Sequence, residues 1–462
     1  MASNWPRVRV SDVCELIVDC VNKTAPVSPV PTPYKMIRTP NIKNGRVSTD
    51  DCRCVDADTF AKWTRRATVE RNDVLLTREA PLGEVGIVNS SEQLFLGQRI
   101  MQYRADESRL DPHFLLYSFL SPDLQHQFSM HEGSGSVVSH IRVGDCSKFE
   151  LNLPPLAMQK RISGILRNLD NKITLNRQIN QTLEQLAQAL FKSWFVDFDP
   201  VMDNALDAGN PIPDELQHRA EARKAVRESE GFKPLPDDVR QLFPDAFEES
   251  ELGWVPKGWV MKSVSDALTV NPKVKLSKGQ SAHFVDMKAL PTSGYSIEEV
   301  THKAFSGGAK FEQNDVLLAR ITPCLQNGKT GFVDFLGEGE VGFGSTEFIV
   351  LRGGKDVHHT YIACLARHEK FRQHAMQSMV GSSGRQRVQN SCFDDYFIAV
   401  PTGAVMNKFA QITQPSFDKF KANTDESIAL AELRDTLLPK LISGELRLDD
   451  VEAAVEQETV SA

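Results

Sequence analysis

The sequence predicts an α+β chain of two pseudo-repeated halves. Two mixed, β-rich globular domains are separated by two long helices that form an antiparallel coiled coil. Three observations carry this expectation: a long-period repeat, the same order of short strands in both halves, and two heptad seams with a shared polar break. Residues 70–81 read Glu-Arg-Asn-Asp-Val-Leu-Leu-Thr-Arg-Glu-Ala-Pro, and residues 312–323 read Glu-Gln-Asn-Asp-Val-Leu-Leu-Ala-Arg-Ile-Thr-Pro, with eight identities in twelve. Weaker echoes flank this block in the same order. Trp5 and Val10-Ser11-Asp12 match Trp259 and Val264-Ser265-Asp266, and Gly133-Ser134-Gly135 matches Gly381-Ser382-Ser383. A period this long is a duplicated domain, not a solenoid of short repeats.

The first half opens with proline punctuation at Pro26, Pro29, Pro31 and Pro33. Short apolar strings bounded by glycine and charge follow, such as Val74-Leu75-Leu76, Val85-Gly86-Ile87-Val88 and Ile100-Met101-Gln102-Tyr103. These read as short strands. Asp111 to Gln127 instead has helical spacing at Phe114, Leu115, Phe119 and Phe128. The second half repeats the order with Val316-Leu317-Leu318, Gly331-Phe332-Val333 and Phe348-Ile349-Val350, then a helical stretch from Thr360 to about Met379.

After Pro154-Pro155 the texture changes. Residues 156–195 hold no proline and one glycine. Ile162, Leu166, Leu169, Ile173, Asn176, Asn180, Leu183, Ala187 and Leu190 step by fours and threes, a heptad seam. The second seam reads Phe409, Thr413, Ser416, Phe420, Asn423, Ser427, Leu430, Arg434, Leu437 and Leu441. Its polar break, Asn423 and Ser427, matches Asn176 and Asn180. A polar seam position costs stability but fixes register and partner orientation, so the two helices are expected to pair with each other. Forty residues at 1.5 Å each make a rod of roughly 60 Å. Pro415 predicts a kink or a late start in the second helix. The expected divisions are 1–153, a first globular domain; 154–199, a central helix; 200–250, a partly ordered acidic connector; 251–402, a second globular domain; 403–448, a distal helix; and 449–462, a tail.

Composition is that of a globular protein, 41% hydrophobic and 25% charged over 462 residues, with net charge −8. No run approaches the ~18 apolar residues of a membrane span, and Met1 to Arg9 lacks a signal-peptide core, so a cytoplasmic location is expected. Eight cysteines are scattered, and the Cys52/Cys54 pair is poor zinc spacing, so reduced thiols are expected. The acidic balance argues against tight DNA binding by the chain alone but leaves room for local basic faces.

Catalytic motifs are sparse. Gly328-Lys329-Thr330 resembles the end of a phosphate-binding loop, but Pro323 stands where that loop needs glycine. His358-His359 are adjacent, diverge on a helix, and are expected to be exposed. No catalytic or metal residue is assigned. Loops in both halves carry side chains suited to base edges, where Arg and Lys pair with guanine and Asn and Gln with adenine. In the first half these are Lys35, Arg38, Asn41, Lys43, Asn44 and Arg46, with Ser134 and Ser136 in a glycine–serine stretch. In the second they are Lys273, Lys275, Lys278, Lys329, Ser382, Ser383, Arg385, Gln386 and Arg387.

Four segments resemble the specificity subunit of type I restriction–modification systems. They are Leu153-Pro154-Pro155-Leu156 with Gln159-Lys160-Arg161-Ile162, then residues 190–200 (Leu-Phe-Lys-Ser-Trp-Phe-Val-Asp-Phe-Asp-Pro), residues 250–259 (Ser-Glu-Leu-Gly-Trp-Val-Pro-Lys-Gly-Trp) and residues 437–446 (Leu-Leu-Pro-Lys-Leu-Ile-Ser-Gly-Glu-Leu). Residues 318–330 resemble one variety of its target-recognition domain. The resemblance implies two target-recognition domains that each read half of a bipartite duplex DNA sequence. It implies helices that act as spacer and dock two modification (methyltransferase) subunits and restriction (translocase/nuclease) subunits. It places S-adenosylmethionine, ATP and Mg2+ in those partners and no cofactor in this chain. Pro401-Thr402, where a Pro-Pro pair is expected, departs from the pattern. Two rivals stand beside this reading: a self-contained site-specific nuclease, and a coiled-coil adaptor without base readout.

Overall fold

The computed structural model describes residues 5–131, 140–446 and 448, and the chain divides into two compact units. The first comprises residues 1–173 and 429–462, the second residues 174–428. Each contains one globular sheet assembly together with part of both long helices.

In the first unit a six-stranded sheet runs in the order Cys14–Asp19, Ile100–Ala105, Val74–Arg78, Leu82–Ile87, Gly45–Val47, Ile42–Lys43. The Val74–Arg78 strand is an unbroken apolar run because both of its faces are covered. Val74 and Leu76 enter a core with Phe114, Phe119, Ile162 and Leu166. Leu75, on the other face, packs with Ile37, Leu94 and Ile100. A smaller sheet orders Arg53–Cys54, Tyr34–Ile37 and Gln93–Leu96, the last two parallel. The ribbon Arg7–Arg9 with Glu150–Asn152 joins the beginning of this part to its end.

The second unit repeats the plan. Its first sheet runs Leu268–Val270, Phe348–Gly353, Val316–Ala319, Thr330–Phe332, which matches the first four strands above in order and direction. A second sheet again contains a parallel pair, Ser281–Val285 with Gly342–Gly344. A ribbon of Val260–Ser263 with Phe397–Val400 closes it. Val316 and Leu318 face one core while Leu317 and Ala319 face another, the same alternation as in the first unit.

Each stretch expected as one helix after the strands is two. Asp111 caps Pro112–Leu120 by accepting the Phe114 N–H (2.9 Å), and Pro122, which cannot continue a helix but suits a first turn, starts Pro122–Ser129. The second unit has His359–Arg367 and Glu369–Gln377 at the same places.

The long helices are Leu156–Phe191 and Gly403–Ser443. In the first unit Ile162, Leu166 and Leu169 share a core with Leu430, Leu437, Leu438 and Leu441, and Ile173 is also buried. In the second unit the buried Asn176 amide donates to Glu426 Oε2 (2.7 Å), and Asn423 donates to Asn180 Oδ1 (2.8 Å). Phe420 packs beside Leu183 and Leu190, and Ser427 is buried. Within each unit, then, the two helices pair antiparallel, and the polar break of each seam meets the other. The expectation of a late start at Pro415 does not hold. The helix begins at Gly403 and runs through Pro415; Pro415 and Gln411, whose carbonyl loses its helical partner there, are both exposed.

The 200–250 stretch, expected as a partly ordered connector, is folded. Helices Asp199–Ala208 and Gln217–Arg227 bury Met202, Leu216 and Ala220 between them. The acidic and basic clusters that suggested a solvated linker pair off instead. Arg223 grips Asp203 at 2.8 and 2.6 Å, and Arg227 and Arg240 converge on Asp207.

Candidate nucleic-acid interface

The repeated sequence block is a repeated structural joint. Asn72 and Asn314 both take left-handed backbone (φ 74° and 70°), which asparagine tolerates best among residues with a side chain. The next residue folds back. Asp73 accepts the Glu70 N–H (2.6 Å) and Asp315 the Glu312 N–H (2.7 Å). Each carboxylate, fully buried, is gripped by an arginine from the neighbouring strand of the sheet: Arg104 on Asp73 at 2.8 and 2.9 Å, Arg352 on Asp315 at 2.7 and 2.6 Å. The hydrogen bonds that Arg104 and Arg352 donate to Asp73 and Asp315 hold both guanidinium groups charged and raise their pKa values further.

The arginine that follows the apolar run of each block, Arg78 or Arg320, fastens a loop. Arg320 donates to the Val388 carbonyl (3.0 Å) while the Val388 N–H returns a bond to the Arg320 carbonyl (2.9 Å). Thr322 and Gln386 exchange two more bonds, both 3.0 Å. Together these pin the far stem of residues 380–387. In the first unit Arg78 does the same to Ile141, at 3.1 Å from its side chain and 3.0 Å to its carbonyl. Ile141 follows the first half's glycine–serine stretch. Ser134 and Ser136 themselves lie outside the described residues.

The sequence-predicted contact residues separate into two groups. Lys273, Lys275 and Lys278 are exposed on the segment between two strands, and Ser382, Ser383 and Arg385 on the fastened loop. Lys43 and Asn44 are exposed at the turn of the Ile42–Val47 hairpin, where Arg46 donates to the Asp170 carbonyl (2.9 Å). The second group is engaged in holding the fold. Asn41 is buried and its side chain accepts the Arg38 N–H (2.9 Å). Arg38 reaches the Asp51 carbonyl at 3.4 Å, and Lys35 is paired with Glu92. Lys329 donates to the Met287 and Lys288 carbonyls (2.8 and 3.1 Å), and Arg387 is held by Glu347 (2.7 Å). Gln386 presents its backbone to Thr322, as above.

The histidines expected to be exposed are half-buried. His358 caps its helix, His359 bonds Gln414 (2.7 Å) and stacks on Phe332, and burial, then its neighbour His359, pushes the His358 imidazole down to about 4.

Sequence reasoning missed three residues. Arg71, His113 and Arg167 line a recess of about 340 Å³ together with Asn44, Arg46, Asn89 and Asn171. The missed signal was a difference between halves: Arg71 aligns with Gln313, and Arg167 with Gln414.

Each unit thus holds a like sheet assembly together with an antiparallel stretch of both long helices, which makes the chain a duplicated α+β protein. Residues 2–185 match the family described as the type I restriction modification DNA specificity domain. The chain is 25% identical over 410 residues to the HindI specificity subunit of Haemophilus influenzae, covering 82% of this chain and 88% of that one. It is 22% identical over 395 residues to the MjaIX specificity subunit of Methanocaldococcus jannaschii, covering 82% and 79%. The fold resembles the crystal structure of the S subunit of a type I restriction–modification system from M. genitalium, with TM-score 0.53 and 13% identity over 95% of this chain and 96% of that one. Residues 2–185 thus carry the sequence pattern of a type I specificity domain, and over 82% of its length the chain is similar to specificity subunits of type I restriction–modification systems. Among the described residues no helix is long and apolar enough to cross a membrane.

Proposed function

We propose that this chain is the DNA-reading, non-catalytic subunit of its restriction–modification complex, and that residues 1–153 and 251–402 each read one part of a bipartite duplex target. The observation that carries the two-part reading is the duplicated joint: the same four-strand order, the same buried Asp–Arg grip and the same arginine-fastened loop stem occur in both units. A single reader has no use for two. The exposed loop side chains, Lys43, Asn44, Lys273, Lys275, Lys278 and Arg385 foremost, supply the base and phosphate contacts.

The paired helices, residues 154–199 and 403–448, serve as spacer and as docking surface for two methyltransferase subunits and for restriction subunits. S-adenosylmethionine, ATP and Mg2+ act in those partners. Nothing in the matches supports a self-contained nuclease or an adaptor without base readout.

Exchange of residues 1–153 for the corresponding part of a relative, followed by genome-wide mapping of methylated adenine, tests the division. One half of the methylated motif should change and the other stay. A motif that changes in both halves, or in neither, would overturn it.

A further inference from the structure

The first unit carries a cationic recess whose charged positions are matched by neutral residues in the second unit. Arg71 comes from the repeated joint, His113 from the Pro112–Leu120 helix, Arg167 from the first long helix and Arg46 from the Ile42–Val47 hairpin, and all line one cavity. Among the described residues no carboxylate pairs with Arg46, Arg71 or Arg167. Asp170 stands in the wall, but its oxygens take the Tyr117 hydroxyl (2.6 Å) and Arg434 (2.7 Å). Asp111 caps its helix. His113 is half-buried, and burial and the nearby Arg167 push its imidazole toward the neutral form. Side-chain amides of Asn44, Asn89, Asn168 and Asn171 complete a lining rich in donors.

The duplication shows that the fold does not require these charges. The matching positions in the second unit are Gln313, Thr360 and Gln414, all neutral and all internally bonded. Gln313 accepts the Leu336 N–H (3.0 Å), Thr360 takes the Thr413 hydroxyl (2.9 Å), and Gln414 holds His359 (2.7 Å) and Asp418 (2.7 Å). The same scaffold therefore stands with satisfied neutral groups on one side and unpaired cations on the other, in a chain whose net charge is −8.

We propose that this recess is a backbone-phosphate site for duplex DNA, with Arg71 and Arg167 as its charged walls and Arg46 at its lip, present on one side of the bipartite target only. The inference rests on the DNA-reading role above. Its position beside the exposed Asn44–Arg46 turn makes it continuous with the first reader. A phosphate contact positions the duplex and carries no sequence information.

The test uses the chain assembled with its methyltransferase partner, and variants Arg71→Gln and Arg167→Gln, which install the second unit's own residues. Binding of two duplexes, one bearing the methylation-mapped target and one scrambled, is measured across salt. Each substitution should lower the slope of log affinity against log salt by about 0.9 on both duplexes. Between roughly 50 and 200 mM salt the wild type should then lose ~12-fold more affinity than the double variant. Unchanged slopes in variants with wild-type melting behaviour overturn the site. So does weakening confined to particular base substitutions, or loss of the methyltransferase partner from the purified complex, which would put a protein carboxylate in the recess. A wild-type complex with no preference for the mapped duplex would overturn the reading role. The scrambled duplex would still judge the phosphate site.

Discussion

Arg320→Met should blunt reading of the second half-site and leave the first untouched. The side chain of Arg320 makes one charge-assisted bond, to the Val388 carbonyl at 3.0 Å. Such a bond contributes about 1.5–3 kcal/mol. Its Nε is buried without a partner among the described residues, and methionine removes that opposing desolvation as well. About 1–2 kcal/mol of loop ordering is expected to be lost after this offset. The backbone bonds between Arg320 and Val388 and between Thr322 and Gln386 remain, so the loop loosens and stays attached. Discrimination against wrong bases in the second half-site should fall by roughly 5- to 30-fold, the factor that such an energy corresponds to. Competition binding by the assembled complex, with single base changes placed in each half of the duplex in turn, reads this directly. Arg78→Met should give the mirror result. Equal loss in both halves, or a fall in melting temperature with discrimination intact, would show that the arginine supports the fold and not the reader.

Three further outcomes follow from the same geometry. Arg385→Ala should cost about 1–3 kcal/mol and relax the second half-site, whereas Arg387→Ala should matter less because Glu347 already holds that guanidinium; the same competition assay separates them. Insertion of four helical residues after Leu183 should lengthen the tolerated gap between half-sites by near two base pairs, since it adds about 6 Å of helix, with both half-sites unchanged on methylation mapping. Burial holds the Asp334 carboxyl at about 6, against 3.8 for the unstructured chain, with Lys421 only partly offsetting it. The folded state therefore binds the proton more tightly, stability from this group rises as pH falls from about 6 toward 4, and Asp334→Asn should raise stability at pH 7–8 by at most about 3 kcal/mol and flatten that dependence in melting curves.

The duplicated architecture was legible because the repeated block places identical residues at identical backbone demands: Asn at the left-handed position, Asp to fold back, three apolar residues for a strand covered on both faces. The heptad break was legible for a similar reason, since Asn176 and Asn423 are an unusual choice on an apolar stripe. Composition misled in the 200–250 stretch. Clusters of Asp and Arg look solvated until the helices bring Asp203 and Arg223, twenty residues apart, into one grip. The same blindness governs the contact loops. Whether a cation is spare depends on a partner distant in sequence, and Glu92 for Lys35, the Met287 carbonyl for Lys329 and Glu347 for Arg387 all lie forty or more residues away. Helix breaks at Pro122 and before Glu369 were hidden by apolar spacing that continues across them.

Each sheet assembly is entered and left through one narrow ribbon: Arg7–Arg9 beside Glu150–Asn152, and Val260–Ser263 beside Phe397–Val400. Both cut points of such a cassette are therefore neighbours in space. A single gene-conversion event could splice in a foreign lobe at these two joints, and the surrounding helices would meet the same pair of strands as before. Novel specificity could arise in one step, with no need to re-evolve the frame.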